Sequence, residues 1–128
     1  MNDCIFCKIV KGDIPSEKVY EDSDFLAFMD IYPVMKGHVL MIPKHHVEWM
    51  QDESDENIGK IFIQVKTLMK KMKESLGCDF VQIGVVGEAV KHFHIHLIPR
   101  YLDDNMVRWP VLNYADSEME ELAQKIRS

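Results

Sequence analysis

The chain has 128 residues, of which 47% are hydrophobic and 28% charged, with a formal net charge of −6. That length suits one domain with a real core. No apolar run reaches the roughly 18 residues of a membrane span, and the acidic balance argues against a nucleic-acid backbone as partner.

The opening stretch MNDCIFCKIVKGD holds no apolar core of the length a secretion signal needs. A cytoplasmic protein with reduced cysteines is therefore expected. Cys4 and Cys7 form a C-x-x-C pair, and Cys78 stands alone. Gly12-Asp13 and Pro15 read as turns, followed by a short extended piece at 19–21. Residues 25–29, FLAFM, read as a buried strand. Residues 39–42 read as another, aliphatic and bounded by Gly37 and Pro43.

Residues 54–76 form the clearest helix. Apolar side chains recur at 58, 61, 62, 65, 68, 69, 72 and 76. Ser54 suits its N-cap, Asp55 and Glu56 its first turn, and Gly77 its stop. The apolar face is broad enough to meet both a sheet and a second subunit. Strands are expected at 80–85 and at 91–98, the latter ended by Pro99. A C-terminal helix is expected within DSEMEELAQKI, with Ser117 and Glu120 as a capping box and Met119, Leu122, Ala123 and Ile126 as its apolar side. Met69, Met72 and Met119 read as core. The class is α+β: a small antiparallel sheet of about five strands, one long helix and a short C-terminal helix, in a single domain over 1–128.

The stretch VKHFHIHLIPRY places His92, His94 and His96 on alternate residues, half of the six histidines in the chain. On a strand, alternation puts the three imidazoles on one face and Phe93, Ile95 and Leu97 on the other. Three readings of that face compete. It is a solvated polar face, or one metal site, or a set of imidazoles with different jobs. The single metal site is disfavoured by length: at roughly 3.3 Å per residue, His92 and His96 lie about 13 Å apart along a straight strand. In the third reading a central imidazole attacks an electrophile while its neighbours orient it or bind the group attacked. Neutral imidazole is nucleophilic near pH 7, and a phosphoryl group is the electrophile that best suits a donor-rich surface.

HFHIHLIPR resembles the H-φ-H-φ-H-φ-φ signature of the histidine-triad (HIT) family of nucleotide hydrolases and transferases. The resemblance extends over residues 3–101 through the elements D-I-x-P, G-H and I-P-K-x-H. It implies a HIT-like fold and attack by His94 on the α-phosphorus of a nucleoside monophosphate ester, amide or anhydride. A nucleotidyl-histidine intermediate would form and then be hydrolysed, as in purine nucleoside phosphoramidases. His96 and His38 would contact the phosphate and relay protons. Asp30 would bind the ribose hydroxyls, and Ile5, Phe6, Ile9, Phe28 and Ile31 would form the slot for the base of an AMP- or GMP-type nucleotide. By composition alone those five residues are simply core.

The segment before the triad, QIGVVGEAVKH, departs from the family pattern N-x-G, spacer, G-Q-[ST]-V-x-H. Gln82 fills the amide position, the spacer is one residue short, Glu88 replaces glutamine and Ala89 replaces the hydroxyl residue. The alternatives are a dinucleoside polyphosphate hydrolase or a non-catalytic nucleotide-binding regulator. For the C-x-x-C pair, a redox role wants a preceding strand, which position 4 lacks. The resemblance implies a structural Zn2+ on Cys4, Cys7, His46 and His92, with His45 as runner-up ligand. It also implies a homodimer; run length and charge, as above, give no membrane contact and no nucleic-acid polymer as partner.

Overall fold

The computed structural model describes residues 3–106 and 109–128. Helix α1 (Ile5–Lys11) opens the chain, with the Cys4 sulfur accepting from the Cys7 N–H at its start and Gly12 at φ 85° closing it. The sequence expectation assigned no element to these residues and placed turns only at Gly12-Asp13 and Pro15. Strands β1 (Lys18–Glu21), β2 (Phe25–Met29) and β3 (Val39–Pro43) follow. After them come a 3-10 turn at Met50–Asp52 and the long helix α2 (Asp55–Leu76). Strands β4 (Phe80–Gly84) and β5 (Ile95–Arg100) complete the sheet, and α3 (Glu118–Arg127) ends the chain. The five strands are antiparallel in the order β1-β2-β3-β5-β4, an α+β fold as expected. No helix among the described residues is long and apolar enough to cross a membrane.

Helix α2 starts and stops where its sequence signals lie. Ser54 Oγ accepts from Asn57 N at 3.2 Å, and Gly77 takes φ 68°. Its Ile61, Val65, Leu68 and Met72 pack on one face of the sheet against Phe25, Ala27, Val39, Met41, Phe93, Ile95 and Leu97. On the opposite face, Phe6 and Ile9 of α1 pack against Leu26, Phe28, Leu40 and Ile42. Alternation in β2 and β3 feeds both layers, which is why β3 is buried throughout and β2 at every residue but Met29.

Four expectations need correction. The last strand begins at Ile95, four residues later than expected, because Phe93 N donates to Val47 O across a bend. Pro99 does not end it: β3 accompanies β5 only as far as Leu97, and a residue lacking an N–H is tolerated where pairing is one-sided. The Ser117 capping box is absent. Ser117 sits at φ 68° with no side-chain cap bond, and Glu118 Oε1 accepts from Ala115 N instead. Met119 is 61% exposed and outside the core, whereas Met72 is buried and Met69 half-buried.

Candidate active site and metal centre

The α1 face of the sheet carries two adjoining side-chain clusters. The first joins the start of α1 to the loops that follow β3 and precede β5. Cys4 Sγ lies 3.3 Å from His92 Nδ1, Cys7 Sγ 3.4 Å from His46 Nδ1, and Cys7 Sγ 3.6 Å from His92 Nδ1. All four candidate ligand atoms fall within 4.8 Å of one another. Bond lengths of about 2.3 Å to sulfur and 2.0 Å to nitrogen place neighbouring ligands of a tetrahedral zinc roughly 3.3–3.8 Å apart. The measured separations match that spacing.

Tautomers agree with this reading. His92 Nε2 lies 2.9 Å from Pro43 O, which can only accept, so the ring carries its proton there and turns the Nδ1 lone pair towards the sulfurs. Burial holds His92 neutral, its pKa lowered to about 4. Burial, reinforced by Cys4, pushes the Cys7 thiol up to about 11. A divalent cation would remove that barrier to thiolate formation. His45 turns elsewhere: its Nε2 lies 2.9 Å from Glu53 Oε1, at the entrance to α2.

The second cluster holds His94, His96, His38 and Asp30. His94 Nδ1 donates to His92 O at 2.7 Å, so its Nε2 carries the lone pair. The ring is wedged edge-on between Phe6 at 5.1 Å and His96 at 5.0 Å. His94 is only 3% exposed, and among the described residues its Nε2 has no hydrogen-bond partner.

Val34 N donates to His38 Nδ1 at 3.1 Å, which leaves the His38 proton on Nε2. That proton goes to His96 Nδ1 at 2.9 Å, so the outward nitrogen of His96, Nε2, carries an N–H. Burial lowers the pKa of His38 against the pull of the nearby Asp30 carboxylate. It lowers His96 to about 4, with help from His94 and His38. Both rings are thus neutral near pH 7. Asp30 Oδ1 accepts from Tyr32 N at 2.8 Å, and Oδ2 stands 3.7 Å from His38 Nε2. Asp30, His38 and His96 are close enough to share a cation. However, the His38 lone pair is already spent on Val34 N, so the trio reads as a hydrogen-bond relay.

The remaining candidates divide. Phe6, Ile9 and Phe28 are 6%, 7% and 3% exposed and belong to the α1-side core, so they offer a ligand only an edge. Ile5 and Ile31 are exposed. Gln82 does not reach the imidazoles. Its Oε1 accepts from Arg100 Nη1, and Arg100 is fixed in turn by Asp104, so the amide expected at a phosphate is part of an internal network. Glu88 and Ala89 lie in bends on the surface. Ala89 helps line a cavity of about 520 Å3 with Cys4, Ile5, His46 and Lys91. Sequence reasoning missed Gly87, at φ 80° with a would-be Cβ 2.9 Å from the Trp49 ring. It also missed Glu53, which holds His45. Glycine before a histidine run was the only signal for the first; nothing local marked the second.

An antiparallel sheet bearing an imidazole relay beside a Cys2His2 set defines a small α+β protein with the histidine-triad arrangement. The chain belongs to the HIT family: the family model "HIT domain" matches residues 11–103. It is similar to a Streptococcus mutans protein, SMU.412c, whose crystal structure superposes with a TM-score of 0.89 at 38% identity, covering 99% of this chain and 85% of that one. It is 38% identical over 132 residues to adenosine 5'-monophosphoramidase hnt1 of Schizosaccharomyces pombe, covering 98% of this chain and 96% of the relative. A zinc-bound histidine triad family protein from Mycobacterium smegmatis matches with a TM-score of 0.79 at 30% identity, covering 98% of this chain and 97% of that one.

Proposed function

We propose that the protein is a nucleotide hydrolase or transferase acting at the α-phosphate of a purine nucleoside monophosphate amide, ester or anhydride, with His94 as nucleophile. The observation that carries the reading is the bond from His94 Nδ1 to His92 O, which leaves Nε2 with a lone pair and, among the described residues, no partner. The phosphoramidase name of the fission-yeast relative supports the substrate class.

In this mechanism Nε2 attacks phosphorus in line, and a P–N bond forms as the bond to the leaving group breaks. The positive charge that develops on the ring is held by the His92 carbonyl through Nδ1–H. His96 Nε2–H faces the phosphate; once the His96–His38 pair has taken up a proton from solvent, His96 passes one to the leaving group, with His38 Nε2–H bonded behind it. The water that later cleaves the P–N bond gives a proton back to solvent, so both rings end neutral, as they began. Asp30 Oδ2 accepts from the ribose hydroxyls. Cys4, Cys7, His46 and His92 hold a structural zinc that fixes α1 and the main chain of His92, and therefore the orientation of His94. The chain works as a homodimer through the outer edge of β4 and the exposed Ile63 of α2.

The test is single-turnover reaction with an adenylated amine. Adenylate trapped on His94 and released by water supports the proposal. Reversible nucleotide binding without a trapped adduct replaces it with a regulatory, non-catalytic role. Faster turnover of a dinucleoside polyphosphate than of the amide moves the substrate class.

A further inference from the structure

Cys4 and Cys7 stand together where α1 begins, and Cys4 Sγ accepts from Cys7 N at 3.4 Å. The strand that leads into a redox C-x-x-C motif is absent, but the other half of that arrangement, a first cysteine capping a helix, is present. The two sulfurs belong to one cluster whose ligand atoms all lie within 4.8 Å of one another. Closing that gap to the roughly 2.05 Å of a disulfide takes side-chain rotation rather than a new fold.

The two sulfurs are not equivalent. Cys4 lines the cavity of about 520 Å3 together with Ile5, His46 and Lys91. Cys7 is set back from it, its sulfur 3.4 Å from His46 Nδ1 and 3.6 Å from His92 Nδ1. A small oxidant in the cavity therefore meets Cys4 first and has Cys7 close behind. The third cysteine, Cys78, is 3% exposed in the α2-side core and stands apart from both. Phe6 lies between the pair in sequence, and its ring meets His92 and His94 edge-on at 5.9 and 5.1 Å. The first turn of α1 thus links the sulfurs to the middle ring of the triad.

We propose that Cys4 and Cys7 are a reversible oxidation site, which a hydroperoxide closes to a disulfide that withdraws both sulfurs from His46 and His92. The Cys4 sulfur attacks the peroxide: an S–O bond forms, the O–O bond breaks and one water leaves. Cys7 then attacks the Cys4 sulfur: the S–S bond forms, the S–O bond breaks and a second water leaves. Two thiols are oxidised and one peroxide is reduced to two waters. Where the sulfurs begin as metal-bound thiolates, solvent supplies the two protons. Two imidazoles then remain of four ligands, too few for a structural zinc site. The oxidation site rests on the sulfur geometry alone; only the release of metal rests on the zinc reading proposed above.

In the experiment, full-length protein reconstituted with zinc is treated with hydrogen peroxide while a metallochromic dye follows free zinc. Alkylation under denaturing conditions, trypsin and mass spectrometry then read the peptide 1–8, which carries both cysteines. The peptide should lose two hydrogens, Cys78 should remain a free thiol, and zinc should appear in step with the disulfide. Dithiothreitol with zinc should reverse both changes. Cys7→Ser should stop at a sulfenic acid on Cys4, which dimedone captures. Free thiols at both positions after excess peroxide would overturn the proposal. So would sulfinic acid in place of the disulfide, earlier reaction of Cys78, or zinc retained by the disulfide form. A disulfide formed in protein that never took up zinc would uphold the oxidation site and remove the zinc reading instead.

Discussion

His94 Nδ1 and the main-chain oxygen of His92 are 2.7 Å apart, and this one bond decides which nitrogen of the triad's middle ring keeps its lone pair. Replacing the ring removes the proposed nucleophile. His94→Ala should lower kcat/KM on an adenylated amine by about 10³-fold or more, roughly 4 kcal/mol of barrier. Steady-state kinetics checks this; a loss below about tenfold would assign the nucleophile elsewhere.

The relay makes stability depend on pH. His96 falls from an ordinary 6.5 to about 4 in the folded chain, chiefly through burial, and His38 is lowered for the same reason. Between those two values the unfolded chain binds more protons than the folded one, so acidification favours unfolding. The contribution of His96 is present in full above pH 6.5 and is lost as pH falls towards about 4. Urea midpoints across that window should therefore decline with acid in the wild type and decline less steeply in His96→Gln. Equal slopes would show that burial does not keep His96 neutral.

Much of the frame was legible from periodicity. Helix α2 kept its cap, stop and apolar face because 22 residues of helical spacing leave little ambiguity. The division of the triad held for the same reason: Phe93, Ile95 and Leu97 enter the α2-side core while the histidines face α1. Helix α1 was not legible, since its seven residues give only two buried contacts and Gly12 reads equally well as a turn. The late start of β5 depends on a bond from Phe93 to Val47 in a loop far away in sequence. Gln82 was placed by its position before the triad, but its real partner, Arg100, comes from the neighbouring strand, and cross-strand pairing is invisible to a linear motif.

That partner gives a prediction of its own. Gln82→Ala should cost stability, seen as a lower unfolding temperature, because it leaves a donor of the buried Arg100 guanidinium unpaired. Turnover of an adenylated amine should change less than about threefold, under roughly 0.7 kcal/mol of barrier. A much larger loss in kcat would return the amide to the phosphate.

Metal content separates the two neighbouring histidines at 45 and 46. One zinc per chain is expected by elemental analysis. It should be lost in Cys4→Ser and in His46→Ala but retained in His45→Ala, whose ring is held by Glu53. Zinc must take thiolates, and the Cys7 thiol stands at about 11 without it, so metal titration near neutral pH should release protons. Chelation should lower stability by at least about 2 kcal/mol, or roughly 8 °C in Tm for a chain of this size. Unchanged Tm after complete removal of the metal would deny it a structural role.

Gly87 packs against Trp49 in the loop that precedes His92 and His94. Gly87 takes φ 80°, where a side chain costs about 1–2 kcal/mol. Its would-be Cβ also comes within 2.9 Å of Trp49 Cζ3. Gly87→Ala should therefore destabilise by about 2 kcal/mol or more and reduce turnover, since the strain lies just before the proposed zinc ligand and nucleophile. Trp49 is partly exposed and can be trimmed, so Trp49→Ala should relieve the clash but not the backbone cost. Denaturation of both single variants and the double variant resolves the two parts. A coupling energy of about 0.5 kcal/mol or more is expected, and strict additivity would mean that the indole does not hold the loop.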